Sequence, residues 1–252
     1  LDASRAEAVL AQLKRYKVAD RVDFIPSTDE TLLTVVGPEA ASALAGAVEG
    51  LKAECAWKDA ELGGVAVRVR KNGHRLGLPG WDVTVPRSGV DAVRAALVAE
   101  GAQAIDRQAF EVLRVLAGVP RDGVDMGYDQ GEGDEVKRVN VPLESQVLYD
   151  TVNWDKGCYI GQEVIAMMHY RGRPSRHLRG LRLPSEGPIP EPGTRLLDSD
   201  GKAVARLGSV VEVPDLGRVG LAIIKRKRAD PGTQLTLPDG GTTEVIELPR
   251  PA

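Results

Sequence analysis

Lys156-Gly157-Cys158-Tyr159-Ile160-Gly161-Gln162-Glu163, KGCYIGQE, is the most informative run in this chain of 252 residues. Glycines on both sides of Cys158-Tyr159-Ile160 let the backbone turn sharply or approach a ligand closely. Lys156 lies two residues before Cys158, so in an extended chain the two side chains share a face. An ammonium beside a thiol favours the thiolate and makes it more reactive. A plainer reading suits the same residues: Cys158 as a small buried hydrophobe and Lys156 as a solvated loop charge. Chemistry alone leaves both open.

Upstream of this run the chain reads as strands alternating with helices. Asp2 or Ser4 is placed to cap a first helix whose apolar face is Val9, Leu10, Leu13 and Tyr16. Short strands are expected at Val22–Ile25 and Leu32–Val36, the second ending at Gly37-Pro38, where a helix carrying Ala41, Leu44, Val48 and Leu51 begins. Val65, Val67 and Val69 alternate with Arg68 and Arg70, Asn72-Gly73 marks a turn, and Trp81, Val83 and Val85 form the next strand. Ser88 is a candidate cap for a helix carrying Val90, Val93 and Leu97. Residues 20–105 therefore read as an α+β unit of ferredoxin-like type. A further helix carries Phe110, Leu113 and Leu116, and residues 121–137, rich in Gly and Asp, read as a solvated loop.

Downstream the composition changes after Pro184. Strands are expected at Thr194–Leu197, Ala203–Val213, Arg218–Ile224, Gln234–Leu237 and Thr243–Leu248, with turns at Asp200-Gly201 and Asp239-Gly240. Repeated short strands of this kind make a small β-barrel or sandwich.

Composition narrows the function classes. A net charge of -3 argues against a whole-protein grip on nucleic acid. Two distant cysteines, Cys55 and Cys158, are no disulfide framework and suit a reducing, cytoplasmic setting. No run approaches the ~20 apolar residues of a membrane span. Three histidines and two cysteines without paired ligand spacing give no metal site. The acidic residues Asp122, Asp125, Asp129, Glu132, Asp134 and Glu135 do not follow the spacing of a calcium loop. Gly131-Glu132-Gly133 lacks the rest of a nucleotide-binding fingerprint. Arg171, Arg173, Arg176, Arg179 and Arg182, with His169 and His177 among them, form a basic stretch. It suits a polyanionic tail, a phosphate backbone, an acidic partner or simply water. Tyr170 is its one aromatic residue, which weighs against direct tRNA contact. Lys225-Arg226-Lys227-Arg228 reads as a strand end meeting solvent.

The run KGCYIGQE resembles the signature of the YgfZ folate-binding family, K-G-C-Y-x-G-Q-E, and meets every fixed position. Leu113 to Pro120 is similar to that family's R-x-x-A-G-x-P segment, Pro142-Leu143-Glu144 to its P-x-E, and Tyr170-Arg171-Gly172 to the Y/F-R-G after the signature. The resemblance covers nearly the whole chain. It implies a multidomain fold shared with the aminomethyltransferase of the glycine cleavage system. Residues 1–19 and 106–183 would be the remainder of the folate-binding first domain, 20–105 the ferredoxin-like domain, and 184–252 the barrel. The chain starts at a leucine, and in the family a further stretch precedes the helix that begins here at Asp2. The N-terminal part of the first domain is thus expected to be absent, and no catalytic aspartate is assigned.

The resemblance also implies a ligand, tetrahydrofolate, and a functional pair, Cys158 with Lys156. Lys156, Tyr159, Gln162, Glu163, Glu144 and Arg171 would be the folate-binding residues. The aminomethyltransferase has a pterin-binding glutamate where this chain has Leu116, so Glu144 is the candidate substitute. The implied role is support of iron–sulfur cluster assembly or repair and of iron–sulfur-dependent tRNA modification, with folate and iron–sulfur proteins or their assembly factors as partners. A single thiol cannot hold a stable cluster, which takes about four thiolates. The alternative is a folate-dependent aminomethyltransferase of the glycine-cleavage type. A cysteine-nucleophile hydrolase is a third class, with His169 the nearest base in sequence. Whether any reaction is catalysed is left open.

Overall fold

The computed structural model describes residues 6–19, 21–53, 56–73, 76–130, 136–145, 152–159 and 161–248. Asp2, Ser4, Cys55 and Ile160, named above, lie outside these residues. Helix α1 (Ala6–Tyr16) has the expected amphipathic spacing, yet none of its residues is buried, and Val9, Leu13 and Tyr16 remain exposed.

The first sheet contains β1 (Glu30–Val36), β2 (Trp57–Leu62), β3 (Val65–Lys71) and β4 (Gly80–Pro86). Its order is β1-β4-β3-β2, with every neighbouring pair antiparallel. Between β1 and β2 lies α2 (Ala40–Ala43), continued by a 3-10 turn over Ala45–Val48, and after β4 comes α3 (Val90–Ala99). Alternation explains the packing. Val67 and Val69 of β3 and Trp81, Val83 and Val85 of β4 point to one face, where Leu44, Ala47, Val93 and Leu97 from the helices complete a single core. The result is a two-layer α+β unit. Its elements run β-α-β-β-β-α, so it is ferredoxin-like in layering but places a third consecutive strand before the second helix.

Several local expectations change. Val22–Ile25 carries no strand. The two-residue hairpin turn is Gly63-Gly64, with φ of 58° and 75°, whereas Asn72-Gly73 begins a longer connection between β3 and β4. Gly89, not Ser88, caps α3, and no side chain bonds its first turn; Ser88 lies in the 3-10 turn Arg87–Gly89.

Helix α4 (Arg107–Leu116) begins at Asp106, whose carboxylate accepts the Ala109 backbone N–H at 2.7 Å. Two short strands follow inside the segment expected to be all loop: β5 (Tyr128–Gln130) pairs with β6 (Val136–Val139). A 3-10 turn at Pro142–Glu144 and helix α5 (Gln162–Arg171) pack against each other.

The remaining strands close a six-stranded barrel in the order β10-β7-β12-β11-β8-β9. They are β7 (Arg176–Leu183), β8 (Arg195–Leu197), β9 (Ala203–Val213), β10 (Gly217–Lys225), β11 (Gln234–Thr236) and β12 (Thr242–Ile246). The barrel's first strand, β7, thus precedes Pro184, where the change of composition suggested that its domain begins. Strand β10 is buried on both faces. Ala222 and Ile224 fill the barrel with Leu181, Leu207, Leu235 and Val245, while Val219, Leu221 and Ile223 face Val112, Val115 and Leu116 of α4. That double duty accounts for the unbroken apolar run Val219 to Ile224. Helix α4 is thereby fixed to the outside of the barrel, and its C-terminal end brings Ala117 and Gly118 beside β7.

Candidate functional site

The KGCYIGQE run forms a turn that launches α5. Gly161 sits at the helix N-cap with φ of 83°, a left-handed conformation that favours glycine. The side-chain carbonyl of Gln162 accepts the backbone N–H of Tyr159 at 3.0 Å, and the Gln162 N–H donates to the Tyr159 carbonyl at 3.2 Å. These reciprocal bonds satisfy groups that a helix start leaves without intrahelical partners. The turn is further held from behind. Trp154 stacks on His169 with ring centroids 3.9 Å apart, and His169 meets the edge of Tyr170 at 4.5 Å. The segment before the signature therefore runs back along α5.

Cys158 is exposed, as a free thiol. The structure thus decides against the buried-hydrophobe reading. The Lys156 ammonium, also exposed, lies 4.5 Å from the centroid of the half-buried Tyr159 ring, a cation–π contact. Nothing lies within 4 Å of a Cβ placed at Gly157, so the backbone there is open to approach. Glu163 is exposed in the first turn of α5, and Arg171 is exposed in the last.

Glu144 is buried in the 3-10 turn that supports α5, with 1% exposure. Asn140 donates to it through Nδ2 at 2.5 Å and accepts the Gly127 N–H through Oδ1 at 3.3 Å. The next residue, Ser145, is fully buried, and its hydroxyl has no hydrogen-bond partner among the described residues. A cavity of about 480 Å³ opens there, walled by Ala117, Gly118, Ser145, Leu178, Arg179, Gly180, Pro231, Ile246, Glu247 and Leu248. It lies between the end of α4, the turn before α5 and the barrel. Lys156, Cys158, Tyr159, Gln162, Glu163, Glu144 and Arg171 are not among its walls.

The basic stretch does not form one face. Arg171 and Arg173 are exposed around the end of α5, whereas Arg176, Arg179 and Arg182 belong to β7. Arg182 faces Glu244 at 3.6 Å, and Arg179 lines the cavity. Within the later basic run, Arg228 pairs with Asp198 at 3.3 Å, and Lys225 donates to the Ala203 carbonyl at 3.0 Å.

Sequence reasoning missed one cluster. Asp125, assigned to a solvated loop, is 1% exposed. Its carboxylate accepts from Arg114 Nη1 at 2.9 Å, from the Arg121 N–H at 2.8 Å and from the Ser209 N–H at 2.6 Å. Arg114 also donates to Ser209 Oγ and to Glu111, each at 2.7 Å, and to the Val119 carbonyl at 2.7 Å. Glu111 is thereby held below its ordinary pKa: burial raises it, but the Arg114 hydrogen bond and the Arg114, Arg121 and Arg107 charges together outweigh that. The signal was present in Arg114, an arginine on the apolar side of a helix. Among the described residues no three His, Cys, Asp or Glu side chains gather as a metal ion would require, and no helix is long and apolar enough to cross a membrane.

This architecture, a two-layer α+β unit and a six-stranded barrel joined by α4, is that of the aminomethyltransferases. The crystal structure of the glycine cleavage system aminomethyltransferase T from Bartonella henselae superposes with a TM-score of 0.74 at 21% identity, covering 99% of this chain and 67% of that one. No protein-family model matches the chain. A putative chloroplastic transferase of Arabidopsis thaliana is 34% identical over 68% of this chain and 36% of its own length. The tRNA-modifying protein YgfZ of Serratia proteamaculans is 25% identical over 97% of this chain and 70% of its own. The human mitochondrial iron–sulfur cluster assembly factor IBA57 is 28% identical over 94% and 60%. The chain thus spans between 36% and 70% of the length of these relatives. In sequence it is similar to YgfZ-type proteins, and in fold to the aminomethyltransferases.

Proposed function

We propose that this chain binds a reduced folate, tetrahydrofolate or a derivative, and serves the assembly or repair of iron–sulfur proteins, including those of tRNA modification. The observation that carries the reading is the exposed Cys158 thiol, held in a Gly157–Gly161 turn on an aminomethyltransferase fold. The names of the relatives, a tRNA-modifying protein and an iron–sulfur cluster assembly factor, point the same way.

The residues present fit such a ligand. A reduced folate combines a pterin, an aromatic linker and an anionic tail, and when bound it supplies one-carbon chemistry. A cavity of about 480 Å³ with apolar walls and few polar groups suits part of such a molecule. In this reading Lys156 and Arg171 are exposed cations for the tail, and Tyr159, Gln162 and Glu163 shape the approach. Glu144 steadies the turn between α4 and α5, and Cys158 with Lys156 is the functional pair. Iron–sulfur proteins or their assembly factors would be the partners, in the cytoplasm.

Aminomethyl transfer is the second reading, favoured by one relative named aminomethyltransferase, from Saccharopolyspora erythraea, 28% identical over 88% of this chain. It needs a carboxylate to orient or activate the folate amine. Leu116 occupies the position of the family's pterin-binding glutamate, and it packs against the barrel-facing core. Glycine-cleavage assays with a lipoylated carrier protein separate the two, since the accessory role predicts no turnover. Calorimetric titration with tetrahydrofolate tests the ligand: saturable binding is expected, and its absence removes the folate claim. Cys158→Ala should abolish support of iron–sulfur enzymes in a complemented cell while leaving folate binding intact. Unchanged support would make the thiol dispensable.

A further inference from the structure

Helix α5 leaves an apolar row open to water. Val164, Met167 and Tyr170 recur every third residue and are 46%, 59% and 72% exposed. That spacing sets the three side chains along one side of the helix. Single exposed apolar residues are ordinary on a protein surface, whereas a contiguous row marks an interaction site. The row ends at a concentration of positive charge. The Arg226 N–H donates to the Ser175 carbonyl at 2.9 Å, and Lys225 is the register partner of Arg176. These contacts bring Arg226 and Lys227, in the 3-10 turn Arg226–Arg228, beside Arg173 and Arg176 at the start of β7. Arg173, Arg226 and Lys227 are exposed, and Arg176 is half-buried. Among the described residues none of these four is paired with a carboxylate, whereas Arg182, Arg218 and Arg228 each are. The local field is positive: at His177, next to Arg176, the charges of Arg179 and Arg226 outweigh those of Glu144 and Asp230.

We infer that the open side of α5 and the cationic corner at its end form one docking surface for a protein partner that presents an acidic patch beside apolar side chains; the inference rests on the accessory role above. Four uncompensated cations call for carboxylates or phosphates opposite them. The apolar row decides between the two. Val164 and Met167 offer no π-face on which a nucleic-acid base could stack, and Tyr170 alone is a poor platform. Arg, Tyr and Met are the residue types enriched where proteins meet, and arginine forks pair carboxylates bidentately. The partner's apolar side chains cover Val164, Met167 and Tyr170, and its carboxylates take Arg173, Arg176, Arg226 and Lys227. Helix α5 starts at the Cys158 turn, so a partner lying along it spans from the thiol to the cations.

The test is fluorescence anisotropy on the full chain with three labelled probes. They are a short helical peptide with leucines at i, i+3 and i+7 among glutamates, the same peptide with every Glu replaced by Gln, and a short single-stranded RNA. The acidic peptide should bind, less tightly as salt is raised, and the Gln peptide about tenfold more weakly. Arg226→Glu and Lys227→Glu should each weaken the acidic peptide by about tenfold, and Met167→Ser should weaken both peptides. All three positions are exposed, which keeps the variants folded. Arg94→Glu, the same change of charge at an exposed position of α3, is the control and should leave binding unchanged. An equal loss at Arg94 would reduce the effect to net charge and overturn the surface. RNA binding that is lost with Arg226, while neither peptide binds, would make the corner a phosphate contact and overturn it as well. If none of the probes binds, the proposal falls. In a complemented cell, Arg226→Glu and Lys227→Glu should lower support of iron–sulfur enzymes with tetrahydrofolate binding intact. Lost peptide affinity with full support removes this surface and leaves the accessory role. A wild-type chain that gives no support removes that role, and the surface with it.

Discussion

The Arg114 guanidinium and the Asp125 carboxylate meet at 2.9 Å with almost no exposure to water, their side chains being 5% and 0% accessible. Asp125 also accepts N–H groups from its own loop, at Arg121, and from the barrel, at Ser209. Arg114 lies on the helix that fixes the barrel and carries Ala117 and Gly118 to the cavity. The pair therefore ties α4, the loop that follows it and barrel strand β9 together.

Breaking this pair should be severe. Arg114 serves Asp125, Glu111, Ser209 and the Val119 carbonyl with a planar fork, and lysine cannot reproduce that geometry. We expect Arg114→Lys or Asp125→Asn to cost about 3–5 kcal/mol, since each leaves buried partners uncompensated. Urea denaturation followed by circular dichroism measures this. A midpoint close to wild type would mean that water or a rearranged loop replaces the lost contacts.

A neighbouring glycine offers a second, independent probe. At Gly208 a Cβ would collide with Asp125 Oδ1 and lie 2.9 Å from the Asp125 Cα. Backbone cannot swing aside as a side-chain tip can, so Gly208→Ala should destabilise by roughly 1–3 kcal/mol. Gly157→Ala is the control, with nothing within 4 Å of the added carbon. Its stability should stay within about 0.5 kcal/mol of wild type. Equal effects at the two glycines would refute the packing argument.

The pH dependence of stability should carry a mark of His177. Burial first, then the charges of Arg179 and Arg226, hold it below its ordinary value of 6.5, against the opposing pull of Glu144 and Asp230. The folded state therefore prefers the neutral ring. As pH falls below 6.5 the unfolded chain gains a proton that the folded chain resists, and stability drops until the folded pKa is passed. Comparing urea midpoints near about pH 7.5 and about pH 5.5 reads this directly. His177→Gln should lose less stability than wild type over that interval. An identical loss would exclude His177 as the source.

The barrel was legible in sequence because its strands are short, β-branched and separated by turns; β9 occupies the expected Ala203–Val213 without adjustment. Strand β7 escaped because Arg176, Arg179 and Arg182 disguise it as a basic surface run, while Leu178, Leu181 and Leu183 carry its packing. Strand β2 escaped because its polar residues alternate on an edge, although Gly63-Gly64 marked the hairpin. The signature was visible as a motif, and Gly161 behaves as a turn glycine should. The cavity was not legible. Ser145, Arg179 and Glu247 are far apart in sequence, and only barrel closure brings them to one wall. Asp125 was misread because its partners, Arg114 and Ser209, are likewise supplied by distant elements.

Cys158 can be tested without a ligand. It is exposed on a turn whose hydrogen bonds run through Tyr159 and Gln162 rather than through its own side chain. A thiol so placed has access to reagents and contributes little packing. Iodoacetamide should therefore modify Cys158 in the folded protein without denaturant, as read by peptide mass spectrometry. Cys158→Ser should shift the unfolding midpoint by no more than about 0.5 kcal/mol equivalent. Protection of the thiol in the native chain, released only by urea, would place it under cover. It would then be unavailable to a partner protein, and the accessory role assigned to it would lose its chemical basis.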